Sequence, residues 1–169
     1  ACDNGRISVN GRVVKASYDV KVGDKIEDFI FDTGCGNSNF ISTAVAERLG
    51  VEIVAEDILI RGVGEGYAKL GYLPEMKIGD VTIRNATFFV VDKLLPEHVE
   101  VEGLCEAALG THIIRKMGEI RFEREQSRFV LPAQESAAPK ERNVFFNSQY
   151  YIWCNDGDER IEMHFDTGN

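Results

Sequence analysis

Phe29-Ile30-Phe31-Asp32-Thr33-Gly34-Cys35 is an apolar run that ends on an acid, a hydroxyl and a glycine, and its motif returns as Asp166-Thr167-Gly168, 134 positions after Asp32-Thr33-Gly34. At average composition, two chance copies of one tripeptide in a chain this short are about a tenth-of-a-per-cent event. The surroundings repeat as well. Gly23-Asp24, Ile26-Glu27 and Phe31 lead into the first copy; Gly157-Asp158, Ile161-Glu162 and Phe165 lead into the second, with a single-residue gap aligning both turns. This pattern reads as an internal repeat. Its second unit, at residues 143–169, is expected to be incomplete.

An apolar strand ending in Asp delivers a carboxylate to the edge of a core, where water is partly excluded. A glycine two residues on permits a tight turn and close backbone approach. Backbone N–H groups and the Thr hydroxyl can then satisfy the carboxylate. Two such carboxylates brought face to face do not readily both ionise, so they share one proton. The ionised member can deprotonate a water while the protonated member polarises a carbonyl.

Outward from this motif the pattern is mostly strands. Ile7 to Val14 alternates around Asn10-Gly11, and Tyr18, Val20 and Val22 alternate before Gly23-Asp24, both hairpin signals. Further strands are expected at Ile58 to Ile60, Tyr67 to Leu73, Glu75 to Ile78, Val81 to Ile83 and Thr87 to Val91, with Gly79-Asp80 as a turn. Residues 119–125 and 128–131 should pair around Gln126-Ser127; Val144 to Phe146 and Tyr150 to Cys154 are strands again. Helix signals are few. Ser42 or Thr43 can cap a helix through Leu49 that Gly50 stops, and a short one should run from His112 to Lys116. Many short strands with one or two short helices predict an all-β barrel or sandwich. Pro132 to Arg142 has two prolines and no alternation, and reads as a linker.

The 169 residues carry 19 Lys+Arg against 28 Asp+Glu, a formal charge of −9, which argues against nucleic acid or an anionic membrane as the main partner. Apolar residues make up 44% of the chain, enough for a real core, and no apolar run reaches the roughly 18 residues of a spanning helix. No charged segment precedes an apolar leader-like one, whereas Ala1-Cys2 resembles a bacterial lipoprotein cleavage junction. A cell-envelope, periplasmic or secreted location is therefore favoured over a cytoplasmic one. Cys2, Cys35, Cys105 and Cys154 form no Cys-x-x-Cys pair, and His98, His112 and His164 lack ligand spacing, so no metal or other cofactor is expected. Cys35 has no histidine near it in sequence and reads as a small buried thiol rather than a nucleophile. Gly62 to Gly66 lacks the Gly-Lys-Ser/Thr of a phosphate loop. Tyr150, Tyr151 and Trp153 read as strand residues rather than a base-stacking platform.

Across residues 5–131 the sequence resembles the retropepsin-like aspartic proteases, relatives of pepsin. Phe29 to Cys35 is similar to the family's catalytic strand and loop, and Phe40-Ile41-Ser42 with Ala44 to Gly50 to the segment after it. Gly62-Val63-Gly64-Glu65-Gly66 resembles the flap that closes on a bound peptide, Ala108-Leu109-Gly110 the segment backing the catalytic loop, and Arg121 to Leu131 the terminal hairpin. The resemblance implies a closed acid-protease-like barrel and an aspartic endopeptidase. It makes Asp32 and Asp166 the catalytic pair and Thr33, Gly34, Thr167 and Gly168 their support. It further implies residues 1–131 as a first lobe, 132–142 as a linker and 143–169 as the first strands of a second, in a bacterial-type two-lobe chain. The implied partners are a peptide or protein substrate and either a completed second lobe or another copy contributing its own Asp32; without one of these, activity should be weak. One departure stands out: Cys35 and Asn169 follow the triplets where the family usually has Ala or Ser. It keeps a second reading open, a catalytically inactive peptide-binding or dimerisation module on the same fold.

Overall fold

The computed structural model describes residues 2–3, 6–9, 12–14, 17–36, 38–61, 65–94, 105–126, 128–134, 136–137 and 142–168. The chain forms two compact units, one of Ser17–Phe31 with Ser38–Leu109, the other of Ala1–Ala16, Asp32–Asn37 and Gly110–Asn169. In the latter, β1 (Cys2–Asp3), β2 (Arg6–Val9) and β3 (Arg12–Val14) make a small antiparallel sheet. Ile7 lies opposite Val14, as the alternation predicts, and the expected turn Asn10-Gly11 falls outside the described residues.

The other unit is a closed barrel. Its elements are β4 (Ser17–Val22), β5 (Lys25–Phe31), β6 (Phe40–Ser42), α1 (Thr43–Leu49), β7 (Glu52–Arg61), β8 (Glu65–Ile78), β9 (Val81–Val91) and β10 (Ala107–Leu109). The strands run in the order β4-β5-β10-β6-β9-β8-β7, and β8 also meets β4 at Lys21 and Lys77, which closes a ring from which only β7 is left outside. Closure removes edges and encloses a core. Val20, Phe29, Ile41, Leu73, Met76, Phe88 and Leu109 are almost solvent-free, with the Phe29 and Phe88 rings 6.1 Å apart.

Helix α1 forms where its caps place it. Ser42 Oγ accepts from the Val45 N–H at 3.2 Å and donates to Glu106 at 2.9 Å, while Gly50 turns left-handed at φ 74°. Two expected strand breaks do not occur. Residues 65–78 and 81–91 each form one continuous strand, through Pro74 and Asn85 respectively. Pro74 is tolerated because β7's pairing to β8 ends at Tyr72, so the missing N–H leaves no ladder partner there. Opposite it Asn85 takes φ 57°, a conformation Asn accepts, and accepts a hydrogen bond from the Tyr72 hydroxyl at 2.7 Å. Strand β7 is also longer than Ile58 to Ile60; Asp57 at φ 56° marks a bulge that interrupts the alternation.

The chain continues through α2 (Thr111–Ile114) and a 3₁₀ turn at Arg115–Met117, which Gly118 ends at φ 73°. Strands β11 (Arg121–Glu123) and β12 (Arg128–Val130) pair as a hairpin, and Phe122 stacks edge-on against Phe129. Ser136, in the segment that reads as a linker, is tied to Glu119 and Arg121. Last come β13 (Val144–Asn147), β14 (Gln149–Asp156) and β15 (Glu159–His164) in one antiparallel sheet.

The β14–β15 hairpin reproduces β4–β5 residue for residue. Tyr18 pairs with Phe29 as Ile152 does with Met163, Val20 with Glu27 as Cys154 with Ile161, and Val22 with Lys25 as Asp156 with Glu159. Every pair is shifted by the 134 positions that separate the triplets, and the turn glycines match at φ 59° and 61°. The register therefore needs no gap. The counterpart of Ile26 is Arg160, not Ile161, because strand pairing rather than local similarity fixes the correspondence.

Phe88→Ala should cost about 3–5 kcal/mol in urea denaturation, because its ring fills the barrel core. Ile26→Ala, at a side chain 60% exposed, should stay within about 0.5 kcal/mol.

Candidate active site

Strand β5 ends at Phe31, and the next residues leave the barrel as a loop that belongs with the other unit. There the two triplets meet. The Thr33 N–H donates to Thr167 Oγ1 at 3.1 Å, and the Thr167 N–H donates to Thr33 Oγ1 at 3.0 Å. Thr33 Oγ1 then donates to the Phe165 carbonyl at 2.6 Å. Thr33 is only 3% exposed, so these bonds form where water competes poorly.

The carboxylates are held by their own turns. Asp32 Oδ1 accepts from the N–H groups of Gly34 at 2.8 Å and Cys35 at 2.9 Å; Asp166 Oδ1 accepts from Gly168 at 2.9 Å. Each glycine also makes room for the opposite acid. A Cβ on Gly34 would collide with the Asp166 carboxylate, and one on Gly168 with that of Asp32. The triplet's third position is thus glycine because the other triplet's acid occupies the space.

Burial pushes the Asp32 carboxyl above its ordinary range, the neighbouring negative charge of Asp166 adds to this, and the Cys35 and Gly34 N–H groups partly offset it. A side-chain hydrogen bond between the two acids pushes in the same upward direction. Cys35 is pushed up to about 12, first by burial and then by both carboxylates. At neutral pH its thiol is protonated and a poor nucleophile.

Ala108 and Leu109 lie on β10 alongside Ile30 and Phe31, and Gly110 begins α2. The following Thr111 N–H donates to the Cys35 carbonyl at 2.9 Å, which fixes the Asp32 loop from behind. Of the segment resembling a flap, Gly62, Val63 and Gly64 lie outside the described residues; Glu65 and Gly66 open β8 opposite Arg61 and Ile60. His164 packs against Tyr151, and Trp153 lies between Phe145 and Arg160, all as strand residues. His98 is outside the described residues. Among those described, no group of His, Cys, Asp and Glu could hold a metal ion, and no helix is long and apolar enough to cross a membrane. Cys154 is a free thiol.

One contact had no sequence signal. Gln149 Nε2 donates to the Gly34 carbonyl at 2.9 Å. Its counterpart 134 positions earlier is Lys15, so the repeat does not mark it.

Two family models match parts of the chain. The family model described as "Aspartyl protease" matches residues 18–112. A model described as "S4 domain" matches residues 1–26. No curated protein matches the chain. A solved structure of a retropepsin-like aspartic protease from Rickettsia conorii is similar at 17% identity and a TM-score of 0.46, covering 70% of this chain and 82% of that one. With more than half of its length matched, the chain belongs to the aspartyl protease family.

Because Asp32 binds its proton more tightly when folded, stability falls as pH rises from the ordinary carboxylate range through the raised one. Asp32→Asn keeps an oxygen that can accept from Gly34 and Cys35 but carries no charge. Its stability, followed by urea denaturation at stepped pH, should lack that fall and exceed the wild type's at neutral pH.

Proposed function

We propose that this chain is an aspartic endopeptidase whose catalytic pair is Asp32 and Asp166. The observation that carries the reading is the reciprocal seating of each carboxylate against the other triplet's glycine. Asp32, whose carboxyl is pushed above its ordinary range by burial and by the Asp166 charge, is the acid of the pair. A water between the carboxyls attacks the scissile carbonyl carbon; Asp166 takes the water's proton and Asp32 gives its own to the carbonyl oxygen. The tetrahedral intermediate then breaks its C–N bond, the amine leaves with the proton taken from water, and Asp32 regains its proton from the collapsing diol. Thr33 and Thr167 keep the acids in register, and Gly34 and Gly168 let them approach.

The substrate class is a peptide or protein bound in extended form, largely through main-chain hydrogen bonds, with Gly62 to Gly66 as its flap and Ala108 to Gly110 as the loop's backing. Residues 1–131 form the first lobe, 132–142 a linker and 143–169 the opening strands of a second. The identical register of β4–β5 and β14–β15 supports that division. The faces differ in burial: Phe29 is solvent-free whereas its counterpart Met163 is 49% exposed. The second hairpin thus presents the face that the first buries in its barrel, and further lobe-two strands or another copy would cover it.

Hydrolysis of a mixed peptide library from acid to neutral pH tests the reading. Cleavage should occur, and Asp32→Asn and Asp166→Asn should each lower it more than about a hundredfold. Undiminished turnover by either variant would refute the pair. Peptide affinity without cleavage, in wild type and variants alike, would favour a binding module.

A further inference from the structure

Gly34 C=O and Cys35 N–H are the two ends of one trans peptide unit, so they point in opposite directions. The N–H end donates to Asp32 Oδ1 at 2.9 Å. The C=O end accepts from the Gln149 side chain at 2.9 Å. A carbonyl can only accept, so it is the amide nitrogen of Gln149 that faces it. The result is a continuous chain from Gln149 Nε2–H through a single peptide to the Asp32 carboxylate. Hydrogen bonds in such chains polarise one another, and a more polarised N–H binds an ionised carboxylate more strongly than a neutral one.

Two further observations show that the contact is built rather than incidental. A Cβ at Gly36 would lie 3.1 Å from the Ser148 carbonyl and 3.2 Å from Gln149 Cγ, so the loop packs directly on the start of β14. Ser148 itself takes φ 62°, an uncommon conformation for serine, immediately before Gln149. The next peptide of the loop is anchored independently, by Thr111 N–H on the Cys35 carbonyl at 2.9 Å. Gln149 therefore holds one defined peptide, the one whose N–H reaches Asp32.

We infer that Gln149 is a positioning residue that acts through the Gly34–Cys35 peptide to set the proton affinity of Asp32. The inference rests on Asp32 being one of the catalytic pair. Among the described residues, the titratable groups facing Asp32 are Asp166, whose charge opposes ionisation, and Cys35, whose thiol stays neutral. The Cys35 N–H is the strongest influence acting in the opposite direction, and Gln149 reinforces it. Removing the Gln149 donor should weaken that N–H and raise Asp32 further. The proton shared by the pair is then retained to higher pH.

The test is a carbon-13 carboxyl NMR titration of Asp32 in the wild-type chain and in Gln149→Met, which keeps length and loses the donor. The Asp32 midpoint should rise by about half a pKa unit, about threefold in proton affinity. The alkaline limb of peptide cleavage should move up with it while the plateau rate holds. In the wild type, the Gln149 side-chain amide resonances should themselves shift with the Asp32 midpoint, a readout that needs no variant. An unmoved Asp32 midpoint in Gln149→Met, or side-chain resonances indifferent to Asp32, would overturn the inference. A rate lowered equally at every pH, with both limbs in place, would show a merely structural role. If the midpoint moves but no peptide is cleaved, the relay stands and the peptidase reading fails. If peptides are cleaved and the midpoint stays, the relay alone fails.

Discussion

The reciprocal bonds between Thr33 and Thr167 are the constraint on which the site depends. Each backbone N–H is satisfied by the other residue's hydroxyl, at 3.1 and 3.0 Å, across 134 positions of sequence. Neither loop can be completed by its own atoms alone, because a buried N–H without an acceptor costs about 1–3 kcal/mol. The pairing also fixes the acids. With the threonines in register, Asp32 lies where Gly168 has no side chain and Asp166 where Gly34 has none. Two like charges are thereby held together in a half-buried place, and the electrostatics of the pair follow from that geometry.

The two halves of the repeat share their hairpin register but not their burial. Strand β5 is flanked by β4 and β10 and lies in a closed ring, so Val20 and Phe29 reach zero exposure. Strand β15 has β14 as its neighbour, and Ile161 and Met163 remain 40% and 49% exposed. The same local pattern therefore yields a core in one place and an open face in the other, because burial is a property of what covers a strand and not of the strand itself. The loop that carries Asp32 is rigid for a separate reason. Asp32 accepts from its own turn, Thr111 holds the Cys35 carbonyl, and Gln149 holds the Gly34 carbonyl.

Much of this was legible in the sequence. The repeated Asp-Thr-Gly announced two equivalent loops, Gly23-Asp24 and Gly79-Asp80 announced their hairpins, and Ser42 and Gly50 bounded α1. What stayed hidden depends on tertiary neighbours. Pro74 looked like a strand end because its missing N–H is visible in sequence, whereas the end of β7's pairing that excuses it is not. Asp57 and Asn85 concealed continuous strands: the bulge at Asp57 disrupts alternation without ending a ladder, and Asn85 takes a positive φ while β9 keeps its register on β8. The apparent gap in the repeat came from matching Ile26-Glu27 to Ile161-Glu162, and pairing shows the true offset to be constant. Gln149 carried no signal because its partner is a backbone carbonyl, which any residue at position 34 would supply.

The central claim is that the two acids of one chain form a single coupled pair, and the most direct test is the titration of Asp32 with Asp166→Asn in place. The account predicts a wild-type Asp32 midpoint above the ordinary carboxylate range that falls when the neighbouring charge is removed, yet stays raised because burial remains. An Asp32 midpoint unchanged by Asp166→Asn would mean that the carboxyls do not face each other, and would contradict the account.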